Sequence, residues 1–131
     1  MKPNRVSLAI GLALVLSTVL ALVAGCAKQV QANNLEVTYY YRPGCAVCAK
    51  ATPAILALER EFPGRVRVRT VDATSSEGAR DVQRYDLDGH GMVILSPRGF
   101  VLWKQPQHNV DMEDVRRQLT ALLSAEKQAS L

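Results

Sequence analysis

The stretch "LEVTYYYRPGCAVCAKATPAILALEREFPG", Leu35 to Gly64, decides the fold. Its opening, Leu35–Tyr41, is rich in β-branched and aromatic residues and predicts a buried strand. Arg42-Pro43-Gly44 turns the chain. From Cys45 onward, Ala51, Ile55, Leu58 and Phe62 recur at helical spacing, with Lys50, Glu59 and Arg60 off that stripe. Pro63-Gly64 ends the helix. Cys45 and Cys48 therefore fall where a buried strand turns into a helix.

Further along, "RVRVRTVDA" alternates Arg65, Arg67 and Arg69 with Val66, Val68 and Thr70. That pattern predicts a strand, Val66–Val71, with one charged side suited to a sheet edge. "SSEGARDVQRY" reads as a short helix capped by Ser75 or Ser76. "MVIL" and "FVLWK" are strands joined by "SPRG", whose Pro97 and Gly99 suit a type I turn, with Met92 and Trp103 in the core. In "VDMEDVRRQLTALLSAE", Met112, Val115, Leu119 and Leu122 form an apolar stripe. Asp111 caps that last helix, and Glu113 and Asp114 suit its positive end.

The order is strand, helix, strand, helix, hairpin, helix. Two strands joined by a helix are expected to be parallel with a right-handed crossover, and the hairpin adds two antiparallel strands. The expected class is α/β: a mixed four-stranded sheet flanked by helices, one domain over residues 35–131. The whole chain of 131 residues suits a single domain and shows no internal repeat.

The N-terminus has a different character. "MKPNR" carries two positive charges, "VSLAIGLALVLSTVLALVAG" carries none, and Cys26 follows. A basic n-region, an apolar h-region and small residues at the cut predict a signal peptide over residues 1–25. Removing Lys2 and Arg5 from the 16 basic residues leaves 14 against 12 acidic, a net charge of +2. The remaining arginines are scattered among few aromatics, which argues against a nucleic-acid surface. Residues 26–34 read as Cys26 followed by a polar tether, Ala27 to Asn34.

"Val23-Ala24-Gly25-Cys26" resembles the bacterial lipobox. The resemblance implies cleavage before Cys26 and acylation of that residue, placing the mature chain on the extracytoplasmic face of a bacterial envelope membrane. Ala27 is not the aspartate that retains some lipoproteins at the inner membrane, so an outer-membrane destination is allowed. With Cys26 lipidated, the three cysteines resolve into one anchor and one pair, Cys45 and Cys48.

A cysteine at a helix start meets unpaired backbone N–H groups and the positive end of the helix dipole. Both favour the thiolate, the reactive nucleophile. A second cysteine one turn inward can attack the mixed disulfide that forms. On this reading Cys45 is the nucleophile and Cys48 the resolving thiol.

Leu35 to Leu123 resembles the thioredoxin superfamily in element order. Pro53, five residues after the second cysteine, Asp72 at the end of the second strand and Tyr85 before the next sheet strand strengthen the likeness. The resemblance implies a thiol–disulfide oxidoreductase acting on protein dithiols or disulfides, monomeric and without cofactor. It also implies a substrate-docking edge at Pro43, Gly44 and Gly91. The departures are specific. Gly44 stands where a tryptophan precedes the first cysteine, Ala46-Val47 replaces Gly-Pro, and Tyr39 replaces a buried acid. In "DGHGMVIL", either His90 or Gly91 replaces the cis-proline before the third strand. A non-proline cis bond costs about 2.5–4 kcal/mol, so a trans peptide is expected.

Two other functions remain open. Thiolates and imidazole suit Cu(I) and zinc, and Cys45, Cys48 and His90 can converge if His90 takes the cis-proline position. The Sco copper-delivery proteins resemble this plan, though they space their cysteines C-x-x-x-C; His108 is a candidate fourth ligand. The third reading is a non-catalytic binding domain with a static disulfide. A two-residue loop gives a poor entropic gain, which weighs against it. Under the redox reading, His90 stabilises the Cys45 thiolate or shuttles its proton.

Overall fold

The computed structural model describes residues 34–107 and 109–129. The signal peptide, Cys26, the tether up to residue 33 and His108 lie outside the described residues. Among the described residues, four strands and three helices follow in the expected order: β1 (Leu35–Tyr41), α1 (Ala46–Glu61), β2 (Val66–Asp72), α2 (Ser76–Arg84), β3 (Gly91–Leu95), β4 (Val101–Gln105) and α3 (Met112–Ala129). They form one mixed sheet in the order β2-β1-β3-β4. β1 pairs with β2 in parallel, from Leu35↔Val66 to Tyr41↔Asp72, and antiparallel with β3. β3 and β4 make the antiparallel hairpin.

Because β1 lies inside the sheet, both its faces are covered. Leu35, Val37 and Tyr39 join Ile55 and Leu58 of α1 and Val115, Leu119 and Leu123 of α3 in one cluster. Tyr40 points the other way, with Val71, Val93 and Leu95, and Val82 and Tyr85 pack against them. A fully buried aliphatic side chain contributes about 1.5–3 kcal/mol, so the α1 and α3 stripes hold the helices down. The last stripe differs from expectation by one position: Leu123 is buried and Leu122 only half so. Eighteen residues of helix drift across an apolar face, and the far end is reached by the next residue round. Trp103 is half-buried at the core's margin, whereas Met92 is fully buried, because β4 is an edge strand.

The edges behave as the charge pattern predicts on one side only. β2 exposes Arg67 and Arg69, and Arg69 pairs with Glu77 and Glu36. β4 instead leaves Val101 and Leu102 exposed beside Phe100. Local caps set the helix starts. The Ser75 hydroxyl accepts the Gly78 N–H at 3.0 Å, and the Asp111 carboxylate accepts the N–H groups of Glu113 and Asp114. Gly99 N–H bonds back to the Ser96 carbonyl at 2.9 Å, closing the hairpin turn. Among the described residues no peptide is cis, and no helix is long and apolar enough to cross a membrane.

Candidate active site

Cys45 is the N-cap of α1. Its backbone is still extended, at φ −78° and ψ 108°, and its Sγ accepts the Cys48 N–H at 3.1 Å. A sulfur at an N-cap takes over one of the helix's orphan donors, and the dipole adds to that stabilisation of negative charge. The first turn carries no acidic side chain to oppose it. Gly44, at φ +79°, makes the sharp entry that places Cys45 there. Cys48 lies one turn inside, 1% exposed, while Cys45 is half-buried. The two are joined as a disulfide, with Cα atoms 5.2 Å apart. One sulfur therefore faces outward and the other sits behind it.

The register of β3 brings in the histidine. Tyr40 pairs with Gly91, so His90 stands beside the end of β1, where the chain turns into the cysteine loop. The three donor atoms of Cys45, Cys48 and His90 lie within 4.8 Å of one another. His90, and not Gly91, thus carries its side chain to the sulfurs. The His90 Nδ1 lies 3.3 Å from the Asp88 carbonyl oxygen. A carbonyl can only accept, so this bond puts the proton on Nδ1 and leaves the lone pair on Nε2. Asp88 is itself tied down, its N–H donating to the Pro106 carbonyl at 2.9 Å.

Gly91 is buried at the start of β3, where a Cβ would overlap the Gln105 carbonyl oxygen. It serves to admit β4 closely and to aim His90. A groove of about 510 Å³ runs along the cysteine loop and the first turns of α1. Pro43 and Gly44 line it, as do Arg42 and both cysteines; Gly91 does not. The Arg42 guanidinium also comes near Gly89 of the histidine loop. Lys50 is exposed on α1 and does not line the groove.

Thr52 is a residue that the motif alone did not single out. It lines the groove one turn after Cys48, and its hydroxyl donates to the Cys48 carbonyl at 2.8 Å. The i,i+4 spacing from Cys48, just before Pro53, is the signal that would have found it. Pro53 lies inside α1 and lacks the N–H that would have bonded to Ala49. Tyr39, in the place of the buried acid, is fully buried, and its hydroxyl has no hydrogen-bond partner among the described residues. Burial raises its pKa, so it stays a neutral phenol.

These features define a thioredoxin fold with a C-x-x-C disulfide at the start of its first described helix. Thioredoxin-2 of the malaria parasite, described as a component of its protein secretion machinery, is similar with a TM-score of 0.57 and 17% identity. That match covers 68% of this chain and 84% of the parasite chain. The germline-specific thioredoxin Deadhead of Drosophila melanogaster is similar with a TM-score of 0.56 and 17% identity, over 69% of this chain and 82% of its own. No protein-family model matches the chain, and no curated protein matches it either.

Proposed function

We propose that this chain is a thiol–disulfide oxidoreductase acting on partner proteins at the periplasmic face of a bacterial envelope membrane, inner or outer, held there by lipid on Cys26. The observation that carries the redox reading is the asymmetry of the pair. Cys45 is half-exposed at a helix N-cap with its sulfur accepting a backbone N–H, and Cys48 is buried directly behind it. The lipobox residues and the apolar run before them support the anchoring.

In the reduced state, His90 Nε2 takes the Cys45 thiol proton, and the imidazolium and Arg42 face the resulting thiolate. The thiolate attacks one sulfur of a partner disulfide. A Cys45–partner disulfide forms and the partner's other sulfur leaves as a thiolate. Cys48 gives its proton to the departed partner thiolate and attacks the Cys45 sulfur, forming the intramolecular disulfide, while the partner's second sulfur leaves and takes the proton held on His90. Two electrons pass from the pair to the partner, which ends as a dithiol. A dithiol donor reverses the change on the chain. The groove beside Pro43 and Gly44 takes the partner segment.

Among the described residues, Arg42 lines the groove with Cys45 and His90 lies beside the sulfurs, and so modest a supply of positive charge supports a moderately reducing couple. Equilibration of the full chain with thiol–disulfide buffers should give a potential between about −200 and −270 mV. A value below about −300 mV, with no exchange onto protein disulfides, is that of a structural bond and would overturn the reading.

A further inference from the structure

We propose that in the reduced protein Cys45, Cys48 and His90 form a binding site for a soft monovalent cation of the Cu(I) type, so that reduction of the disulfide opens the site and oxidation closes it. The site rests on the same approach of His90 to the sulfurs that the exchange reading uses, extended to all three donor atoms. All three donor atoms already lie within 4.8 Å of one another while the sulfurs are bonded. A metal with sulfur at about 2.3 Å and nitrogen at about 2.0 Å holds its donors about 3.5–4 Å apart. Breaking the sulfur–sulfur bond lets Cys45 and Cys48 separate towards that spacing, with the imidazole already in reach.

The imidazole is also held as metal-bound histidines usually are. Its Nδ1 donates to a backbone carbonyl, that of Asp88, which holds the ring in place beside the sulfurs. Asp88 is anchored in turn by its own N–H on Pro106. The donor set selects the cation. Two thiolates and one imidazole are soft, and three ligands satisfy Cu(I). Zn(II) favours four, and among the described residues this cluster offers three. Two thiolates around a monovalent cation leave a net negative charge, and Arg42, which lines the same groove as both cysteines, is a positive group on that groove. Burial of Cys48 and half-burial of the other two shield the centre, while the groove gives a way in.

The electrons balance without copper changing state. A dithiol donor gives two electrons and two protons to the Cys45–Cys48 disulfide and itself becomes a disulfide. Cu(I) then displaces the two thiol protons and remains Cu(I).

The test is competition for Cu(I) against a chromogenic chelator, in the full chain carrying Cys26→Ser so that the pair is the only source of thiols. The reduced chain should take one Cu(I), and the oxidised chain none. X-ray absorption of the reduced complex should show two sulfurs and one imidazole nitrogen around the metal. His90→Ala should weaken retention at least tenfold and remove the nitrogen signal. Three results would overturn the proposal: no retention by the reduced chain, a two-sulfur complex indifferent to His90→Ala, or stronger retention of Zn(II). The absorption spectrum of the unsubstituted site decides the case even if His90→Ala folds poorly. Thiol exchange measured on the same reduced chain separates this proposal from the redox one. Active exchange with copper left on the chelator removes only the metal site, and retained copper with an inert pair removes only the exchange.

Discussion

Cys45 and Cys48 are chemically the same side chain placed in different surroundings by three residues of helix. The N-cap position gives Cys45 a backbone donor and some access to solvent, and one turn of α1 takes Cys48 out of it. Tyr39 is the opposite case, a polar group with no task that the contacts reveal. A buried, unbonded hydroxyl carries a desolvation cost of about 1–3 kcal/mol. Tyr39→Phe should therefore raise the midpoint of thermal unfolding and leave the rate of thiol exchange unchanged. A lower midpoint would show that the hydroxyl is bonded after all, and slower exchange would give it a part in moving the Cys48 proton. The cysteine positions were legible in the sequence because strand, turn and helix periodicity locate a helix start closely. The orphan hydroxyl was not, since alternation tells which face a strand residue takes but not what its tip meets.

At the scale of elements, α1 is both the floor of the site and the main apolar contact of the sheet. Ile55 is fully buried between them. Ile55→Ala should cost about 2–5 kcal/mol in chemical denaturation, by lost burial and the cavity left behind. A loss below about 1 kcal/mol would contradict the packing described. The end of β2 carries a pH-sensitive turn. The Asp72 carboxylate accepts the Thr74 hydroxyl at 2.7 Å and the Thr74 N–H at 2.8 Å, and the hydroxyl bond above all holds its pKa below the usual carboxylate range. A pKa lowered on folding contributes stability that is present above the unfolded value and is lost as pH falls through the folded one. Between about pH 5 and pH 2 the wild-type unfolding midpoint should fall more steeply than that of Asp72→Asn. Parallel curves would refute the assignment. Element order, the charged edge and the Ser75 cap were all readable from periodicity and capping residues. The choice between His90 and Gly91 was not, because it depends on the Tyr40↔Gly91 register, which is set across strands far apart in sequence.

At the scale of the whole molecule, the proposed exchange activity goes with a proposed lipid anchor. The proposed lipid on Cys26 has its own test: metabolic labelling with palmitate should mark the chain, and Cys26→Ser should abolish the label. A labelled Cys26→Ser chain would place the lipid elsewhere. The fold as a whole was legible because local signals agree along its length: a buried strand, a capped helix, an arginine-lined edge and a hairpin turn. The apolar outer edge at Phe100, Val101 and Leu102 was not, since an edge and an inner strand of this length share the same composition. The central claim is that Cys45 attacks and Cys48 resolves. The most direct measurement presents the Cys26→Ser chain, with either Cys45 or Cys48 also changed to Ser, to an aromatic disulfide that releases a coloured thiolate. The Cys48→Ser chain should release one equivalent rapidly and retain a stable mixed disulfide on Cys45, while the Cys45→Ser chain reacts far more slowly because its remaining thiol is buried. Equal rates, or faster trapping through Cys48, would contradict the account.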